Sequence, residues 1–460
     1  MKSEVTVESL ALYINRGITP KYTEVIDDSV IVLNQKCIRD FKVSLEPSRR
    51  NDLSKRKITE GKMLKKHDVL INSTGVGTLG RVAQYFGADD DATVDSHVTI
   101  VRPNPELVDP IYFGYLMKSK QSLIESFAEG TTGQTELNRN SVKELLLEIV
   151  NDIPTQKIIG GILLEIDQKL ELNTQTNQTL EQIAQAIFKS WFVDFDPVKA
   201  KIETLAAGGN ADDAELAAMG VISAKTLDEL NSLKASNPEQ FNKLAQTAAL
   251  FPAAMQDSEL GEIPEGWEVS DLASCTTELR RGISPKYIEE GGVLVINQKC
   301  IRNHTIDFSL ARRNDSSKRK VDGREIVIGD VLVNSTGVGT LGRLAPIRFL
   351  NETTVADSHV TVVRANTTKI SKSFLAGLML TNEAYIEASG AGSTGQTELR
   401  KQVLEDIKFV KPLSAVDRLF DEIASNFNAQ IAELEKQRVT LSLTRDALLP
   451  KLLSGELVGE

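Results

Sequence analysis

A glycine-rich stretch that could bind phosphate occurs twice in this chain of 460 residues. Residues 73–81 (STGVGTLGR) are repeated letter for letter at 335–343. The spacing Gly75-x-Gly77-x-x-Gly80 formally matches the dinucleotide fingerprint and approaches a phosphate-binding loop. A phosphate loop needs Lys and Ser/Thr after its last glycine, and a dinucleotide fold needs a helix that begins at the glycines. Arg81 and a strand-like run at 82–86 follow instead, which disfavours nucleotide binding.

The side chains around the glycines favour a different chemistry, recognition of nucleic acid. Arg81 can pair in a bidentate way with guanine or phosphate, and Asn34, Gln35 and Gln134 can read adenine edges. Glycine allows the backbone to approach a large partner closely. The alternative interpretation is that the glycines form only a tight turn between strands and that Arg81 is solvated.

Residues suited to catalysis or metal binding do not form a convincing set. His97 and His359 lie at equivalent positions in two Asp-Ser-His triplets, without an HExxH motif. Asp194, Asp196 and Lys199 are the nearest approach to a nuclease cluster, and they occur once. The amino-methyltransferase tetrapeptide is absent, and the three cysteines lack CxxC spacing, which predicts small core sites for Cys37 and Cys300. The sequence therefore predicts recognition without catalysis.

Local charge also points to nucleic acid, although the net charge of the chain is −11. Residues 49–66 contain eight Lys/Arg and two acidic residues, and residues 312–324 contain six Lys/Arg and two acidic residues. Residues 199–262 contain five Lys and ten Asp/Glu. Because contact with DNA is local, the basic clusters that recur within RRND-x-SKRK are more informative than the net charge. A solvated loop is the alternative.

The elements that must position these residues are short strands. The runs 30–33, 68–72 and 95–102, with their partners at 294–296, 330–334 and 357–364, are β-branched or alternate with a period of two. The motif TGQTEL closes each copy, at 132–137 and 394–399. Each copy is therefore predicted to be a mixed α/β domain of about 140 residues.

A long helical pattern follows each copy. Apolar residues after Pro154 and after Pro412 recur in alternating steps of four and three, the seam of a coiled coil. Asn173 and Gln430 hold corresponding polar positions in the two seams, and buried amides of this kind commonly fix register. A helix over about 155–192 would be roughly 55 Å long and would act as a spacer.

The sequence thus predicts an α+β protein with a pseudo-two-fold internal repeat, in which two globular domains are separated by two long coiled-coil helices. The predicted boundaries are recognition domain 1 at 1–152, a spacer helix at 153–198, an acidic Ala-rich helical connection at 199–262, recognition domain 2 at 263–411 and a C-terminal spacer helix at 412–460.

Taken together, these motifs resemble the specificity subunit of type I restriction–modification systems. Besides the two glycine-rich elements, the resemblance rests on FKSWFVDFDP at 188–197, AAMGVIS at 217–223, AALFP at 248–252 and LGEIPEGW at 260–267. It covers essentially the whole chain. The first copy departs from the pattern, since it lacks an IPEGW segment at its start, and its N-terminal edge is expected to be less well buried.

The resemblance implies a non-catalytic DNA-recognition subunit in phage defence. Each domain would read one half of a bipartite site in double-stranded DNA. The helices would pair antiparallel, set the spacing and dock two methyltransferase subunits, with restriction subunits joining the full complex. S-adenosylmethionine, ATP and Mg²⁺ would belong to those partners, so no cofactor or metal is expected here. No run of 18 apolar residues and no signal pattern occurs, which predicts a cytoplasmic protein. The resemblance implies that its source is a bacterium or archaeon.

Because the two domains are near copies, we expect half-sites that are the same or closely similar, inverted about a nonspecific spacer. The copies differ at 40–42 (DFK) against 303–305 (NHT), and at 88–91 (ADDD) against 350–352 (LNE). If those loops contact bases, the half-sites should differ there. Two alternatives remain, a nucleotide-dependent enzyme that uses the glycine loops and a coiled-coil scaffold without DNA contact.

The candidate DNA-binding residues are the polar and basic positions of these motifs in both copies. In the first copy they are Asn34, Gln35, Lys36, Arg39, Arg49, Arg50, Lys55, Arg56, Lys57, Ser73, Thr74, Gly75, Thr78, Arg81, His97, Thr132, Gln134 and Thr135. In the second copy they are Asn297, Gln298, Lys299, Arg302, Arg312, Arg313, Lys318, Arg319, Lys320, Ser335, Thr336, Gly337, Thr340, Arg343, His359, Thr394, Gln396 and Thr397.

Overall fold

The computed structural model describes residues 2–129, 136–390 and 398–457. It divides into two compact units, one formed by residues 1–172 with 438–460 and the other by residues 173–437. Each unit contains one predicted recognition domain and a part of each long helix. The compact units therefore differ from the predicted domains, whose boundaries stay predictions.

The helices of the described residues include those that the sequence patterns indicated, the two long helices and the helical connection, and shorter ones that the patterns did not indicate. They are α1 (Val7–Leu10), α2 (Pro110–Ser119), α3 (Gln121–Ser126), α4 (Arg139–Lys143), α5 (Ile153–Phe192), α6 (Asp196–Ala206), α7 (Ala211–Ser223), α8 (Leu227–Ser236), α9 (Pro238–Ala249), α10 (Lys372–Thr381), α11 (Glu383–Ala388), α12 (Lys401–Glu405) and α13 (Ser414–Leu453). Short 3-10 turns lie at Gln35–Cys37, Glu60–Lys62, Gln298–Cys300 and Phe308–Leu310. The two long helices, α5 and α13, each have 40 residues, which confirms the predicted α+β class with two long helices.

The strands of the first unit are β1 (Lys2–Thr6), β2 (Ala11–Arg16), β3 (Tyr22–Thr23), β4 (Ser29–Leu33), β5 (Ile38–Arg39), β6 (Lys42–Val43), β7 (Arg49–Asp52), β8 (Val69–Asn72), β9 (Val82–Gln84), β10 (Ala92–Val94), β11 (Val98–Pro103), β12 (Ala128–Glu129), β13 (Glu136–Leu137) and β14 (Leu146–Val150). The strands of the second unit are β15 (Met255–Ser258), β16 (Gly261–Pro264), β17 (Glu268–Asp271), β18 (Thr276–Arg281), β19 (Tyr287–Ile288), β20 (Val293–Ile296), β21 (Ile301–Arg302), β22 (Thr305–Ile306), β23 (Arg312–Asn314), β24 (Val331–Asn334), β25 (Leu344–Pro346), β26 (Thr354–Ala356), β27 (Val360–Ala365) and β28 (Lys408–Lys411).

The first unit contains two four-stranded sheets. One sheet has the antiparallel order β2-β11-β8-β9, and the other has the order β10-β4-β7-β3, in which β10 and β4 are parallel. Period-two alternation along β8 determines the packing: Leu70 enters the core shared with the second sheet, while Val69 and Ile71 face a core formed with helices. Helix α2 begins in that core because Asp109 caps it and Pro110 suits its first turn.

The second unit repeats this arrangement with the sheets β18-β27-β24-β25 and β19-β23-β20-β26. Its helix-facing core contains an aromatic cluster from the end of α5, in which Phe188, Trp191 and Phe192 pack with Phe374 and Phe420. Trp267, from the IPEGW segment, is also buried in this cluster. The first copy has no such segment, and its strand β1 pairs with β14 as β17 pairs with β28.

The long helices run antiparallel within each unit. In the first unit Asp167 of α5 lies 2.8 Å from the guanidinium of Arg445 of α13, and Leu163 shares a core with Leu452. In the second unit Asn173 donates to Gln437 at 3.4 Å. Asn173 is buried as predicted, but Gln430 is exposed, so the prediction of a buried amide at position 430 is wrong. The seam of α13 there passes instead through the neighbouring Ile431, which is buried.

Residues 196–249 form four helices, α6 to α9. A small core of their own contains Ala218, Met219 and Leu230. The ammonium group of Lys201 is buried, and it donates to Glu215 at 2.7 Å and to the carbonyl of Phe251 at 2.8 Å. Among the residues that the structure describes, no helix has the length and apolar character needed to cross a membrane.

Candidate nucleic-acid interface

The glycine-rich stretch is the connection between the antiparallel strands β8 and β9. Gly75 and Gly77 have positive φ angles of 104° and 73°, which favour glycine. The backbone N–H of Thr78 donates to the carbonyl of Gly75 at 3.1 Å, and that of Gly80 to the carbonyl of Asn72 at 2.8 Å. Since a strand follows the glycines, as predicted, the helix N-terminus that a dinucleotide site requires is absent at this position.

The loop around Gln35 lies directly on this turn. A Cβ atom at Gly75 would lie 2.4 Å from Oε1 of Gln35, so the side chain of Gln35 lies directly against this glycine, whose φ of 104° also favours glycine. The buried amide of Asn72 joins the two segments, because its Nδ2 donates to the carbonyls of Gln35 at 3.0 Å and Thr78 at 3.1 Å. The fold therefore brings together the Asn-Gln-Lys loop and the glycine turn, which are about forty residues apart in sequence.

The second copy has the same tether and a further contact. Asn334 donates to the carbonyl of Gln298 at 3.0 Å, and the hydroxyl of Thr336 donates to Oε1 of Gln298 at 3.1 Å. This bond uses the Oε1 atom of Gln298 and orients the side-chain amide. The Nε2 group of the same amide takes no part in this bond. An amide held in a fixed orientation is suited to reading a base edge.

His97 is exposed at the other side of the turn. Its Nδ1 atom lies 2.7 Å from the hydroxyl of Thr74, and its backbone N–H donates to the carboxylate of Asp95 at 2.9 Å. Burial raises the pKa of Asp95 above its ordinary value. The equivalent bonds of His359 go to Thr336 at 2.7 Å and to Asp357 at 2.8 Å. Each imidazole is thus held by one bond to a threonine hydroxyl, and the backbone of the same histidine is held by a second bond to an aspartate.

The segment that closes each copy is attached to the same turn. The backbone N–H of Leu137 donates to the carbonyl of Ser73 at 2.8 Å, and Arg16 pairs with Glu136 and donates to the carbonyl of Leu137 at 2.9 Å. Arg281 binds Glu398 and the carbonyl of Leu399 in the same way. The predicted residues Thr132, Gln134, Thr135, Thr394, Gln396 and Thr397 lie outside the described residues.

The RRND segment divides into structural and exposed positions. Asn51 is fully buried and donates to the carbonyl of Arg56 at 2.8 Å, while Asp52 accepts from Ser54 and pairs with Lys55. These contacts lower the pKa of Asp52 to about 2, with the Ser54 hydroxyl the largest cause. Asn51 and Asp52 therefore shape the turn that presents the basic residues.

The basic side chains differ in the contacts that they make with other residues of the protein. Arg49 lies over the ring of Tyr22 at 3.6 Å, and Arg312 lies over Tyr287 at 3.5 Å. Arg50 is half-buried and paired with Asp90 at 2.9 Å. Several candidates are exposed without an ion pair in the described part of the chain: Lys36, Arg56, Lys57, Lys299, Arg302, Arg319 and Lys320.

The prediction that Ser73 and Ser335 contact DNA is wrong for their side chains. Both are fully buried, and their hydroxyl groups bond to Thr99 at 2.6 Å and to Thr361 at 2.5 Å. The side-chain amides of Asn34 and Asn297 are also occupied by hydrogen bonds within the protein. Their Oδ1 atoms accept from the backbone N–H groups of Lys36 and Lys299, and their Nδ2 atoms donate to loop carbonyls. Arg81 is half-buried and donates to the carbonyl of Gly77 at 2.8 Å.

Sequence reasoning missed three pairs of residues at this surface. Asn72 and Asn334 tether the loops, Arg16 and Arg281 hold the closing segment, and Val76 and Val338 are exposed at the tips of the glycine turns. Their identity in both copies was the signal that could have found them. Cys37 and Cys300 are buried free thiols that fill core sites as predicted, and burial raises the pKa of Cys300 to about 11.

Comparison with known proteins identifies the family. The profile of the type I restriction modification DNA specificity domain matches residues 47–182. The chain is 31% identical to the type I restriction enzyme HindI specificity subunit of Haemophilus influenzae, over 86% of this chain and 88% of that protein. It is 24% identical to the type I restriction enzyme MjaIX specificity subunit of Methanocaldococcus jannaschii, over 75% of this chain and 68% of that protein.

A solved structure shares the fold. The crystal structure of a type I restriction-modification S subunit from M. genitalium covers 98% of this chain and 96% of its own, with a TM-score of 0.52 and 16% identity. Both the predicted family and the predicted non-catalytic role are confirmed by the relatives. The chain belongs to the family of type I restriction enzyme specificity subunits, which recognise DNA sequence and are not catalytic themselves.

Proposed function

We propose that the chain reads a bipartite site in double-stranded DNA whose two halves are the same or closely similar sequences, inverted about a nonspecific spacer. The observation that carries this proposal is the recurrence of one surface in both units. The glycine turn, the Asn-Gln-Lys loop, the Thr–His pair and the basic turn recur, and the bond of the tethering asparagine to the glutamine carbonyl and the Thr–His contact are the same in both copies. Equal surfaces related by a two-fold axis read opposite strands equally.

The first divergent loop between the copies is explained by contacts inside each unit. Lys42 pairs with Glu171 of α5 in the first unit. In the second unit His304 lies 2.7 Å from Glu383 and 3.8 Å from Glu181 of α5. Because Lys42 and His304 contact helices, the difference in sequence at these two positions supplies no reason for a difference between the half-sites.

The second divergent loop also has an internal explanation. Asp90 pairs with Arg50 in the first copy, and Glu352 pairs with Arg313 at 2.7 Å in the second. The loops therefore differ in length and sequence, but each supplies one acidic partner to the equivalent arginine, Arg50 in the first copy and Arg313 in the second. Both divergences support similar half-sites.

Within this surface we assign two kinds of contact. The exposed residues of the basic turns (Lys55, Arg56, Lys57, Lys318, Arg319 and Lys320), with Arg49 and Arg312, would bind phosphates and set the register. Gln35, Gln298, His97, His359, Arg81 and Arg343, beside Thr74, Thr78, Thr336 and Thr340, would contact bases. Lys36, Lys299, Arg39 and Arg302 lie on the adjoining loops and would add phosphate contacts.

The long helices would serve as the docking surface for two methyltransferase subunits, and restriction subunits would join the full complex. S-adenosylmethionine, ATP and Mg²⁺ would be bound by those partners. Because its proposed target is the DNA of the cell, we place the chain in the cytoplasm, in defence against phage. Co-purification with the products of neighbouring genes tests the assembly.

Mapping of methylated bases in the host DNA by single-molecule sequencing tests the half-sites. We expect one motif that disappears when this chain is deleted, with two similar halves in inverted order. A bipartite motif with unrelated halves would contradict the similarity while leaving DNA recognition intact. Absence of any motif that depends on this chain, together with absence of DNA binding, would favour a coiled-coil scaffold.

A further inference from the structure

Two valines at the tips of the glycine turns are left exposed. Val76 has 83% of its surface exposed and Val338 has 80%, against 69% for Ile26 and 67% for Leu443, which come next among the large hydrophobic residues of the described chain. They occupy the same position of the two identical stretches. An apolar side chain in this position gains nothing from folding, since it remains in water.

Each valine is held in place rather than carried on a loose loop. Gly75 and Gly77 flank Val76 with left-handed backbone, and the turn is closed by the bonds of Thr78 and Leu79 to the carbonyl of Gly75 at 3.1 and 3.0 Å. Arg81 donates to the carbonyl of Gly77 at 2.8 Å. No atom lies within 4 Å of a Cβ built at Gly77, so the tip faces open space.

The neighbours of the valines are the groups assigned above to base contacts. Oε1 of Gln35 would lie 2.4 Å from a Cβ at Gly75, and Thr74, the residue on the other side of Gly75, is bonded to His97. An apolar tip beside an amide, a hydroxyl and an imidazole matches the edge of an A·T pair in the major groove. That edge presents the amino group and N7 of adenine beside the 5-methyl group of thymine.

We propose that Val76 and Val338 each contact the 5-methyl group of a thymine, one in each half-site. This assignment deepens the proposed function and depends on it. Valine is short and branched at Cβ, so it presents two methyl groups to a base edge with little loss of rotamer freedom. It is too small to stack on a base as an aromatic side chain does. Contact with the thymine methyl is the apolar form of direct readout.

The test uses uracil, which differs from thymine only by this methyl group. Once the methylated motif is known, duplexes are prepared with one thymine at a time replaced by uracil, and their binding to the full chain with its methyltransferase partners is measured. We expect one position in each half-site at which uracil weakens binding about fourfold, the equivalent of ~0.8 kcal/mol for one buried methyl group.

The variants V76A and V338A assign the two positions. V76A should abolish the discrimination between thymine and uracil in one half-site only, and V338A in the other, so that each unaffected half-site is an internal control for folding. V76T keeps the shape of valine with a hydroxyl in place of one methyl group and should also reduce the discrimination. L227A, at an exposed leucine of the helical insertion, is the matched control and should have no effect.

Two results would overturn the proposal. One is equal binding of thymine and uracil duplexes at every position while specific binding persists, which would leave the proposed function standing. The other is a loss of methyltransferase association in V76A or V338A with thymine discrimination unchanged, which would assign the valines to a protein contact. Failure of the wild-type complex to bind the motif at all would instead contradict the proposed function.

Discussion

The hydroxyl group of Thr74 lies 2.7 Å from Nδ1 of His97, and the equivalent pair in the second copy, Thr336 and His359, has the same separation. The partners are 23 residues apart in each copy and meet because the turns after β8 and before β11 are adjacent. The bond fixes the plane of an exposed imidazole beside the glycine turn. A fixed donor or acceptor binds its base more tightly than a mobile one, because binding then costs less conformational entropy.

We therefore expect Thr74→Val to weaken specific binding about tenfold or less, in one half-site, without a change in fold. The reason is that valine keeps the volume of threonine but frees the His97 ring. Competition assays with duplexes mutated in one half-site measure the effect. Thr336→Val should affect the other half-site, and a uniform loss on random DNA would contradict this role.

Arg81 gives a second test of base reading. Loss of the guanidinium in Arg81→Ala should cost roughly 1–3 kcal/mol of specific binding and act on one half-site. Its bond to the carbonyl of Gly77 means that the turn is also less rigid in the variant. Binding to the target and to random DNA is compared by fluorescence anisotropy. If both weaken equally, Arg81 does not read a base.

The basic turn should behave differently, because phosphate contacts carry no sequence information. Replacement of Arg56 or Lys57 by alanine should weaken binding to all sequences and lower the salt slope by about one for each phosphate that the variant no longer binds. The control is Arg50→Ala, since Arg50 is half-buried and paired with Asp90. A larger effect on the slope in the control than in Arg56→Ala would contradict the assignment.

A buried ion pair in each copy should matter for stability. Asp68 is fully buried and bound at 2.7 Å by Arg102, so Arg102→Met leaves a buried carboxylate without its partner. We expect a loss of about 3–5 kcal/mol in the free energy of unfolding, measured by urea titration. The double variant with Asp68→Asn should recover much of the loss. In the second copy Arg364 is more exposed, and Arg364→Met should cost less.

The second unit should lose stability as the pH rises because of a histidine, His304, that the first copy replaces with a phenylalanine. The bond to Glu383 raises the pKa of His304 above its ordinary value of 6.5, with Glu181 contributing and Arg348 opposing. This stabilisation is fully present below pH 6.5 and is lost as the pH rises through the raised pKa. His304→Phe introduces the residue that the first copy has at Phe41.

Melting temperatures of the wild type and of His304→Phe at pH 5.5 and 8.5 measure this dependence. The difference between the two proteins should favour the wild type more at pH 5.5 than at pH 8.5. Glu383→Gln, which removes the largest cause of the shift, should reduce the difference. An equal difference at both pH values would show that His304 does not titrate with folding.

Much of this protein follows from its sequence alone. The letter-for-letter repeat of 73–81 at 335–343 established the duplication, and alternating patterns placed the strands that flank it. The four-three spacing placed both long helices, because a buried seam must recur on one helix face. The sequence also predicts that no helix follows the glycines directly, since Val82 begins a strand-like run.

The tertiary structure decided which repeated residues face solvent. Repetition in both copies does not distinguish a buried serine from an exposed valine, so the sequence predicts Ser73 at the interface and does not single out Val76. In the folded chain Ser73 is buried against Thr99, and Gln35 lies against Gly75. Both contacts join residues that are distant in sequence, so local sequence patterns do not predict them. The contacts of His304 likewise depend on the tertiary structure, because its partners Glu181 and Glu383 are distant from it in the chain.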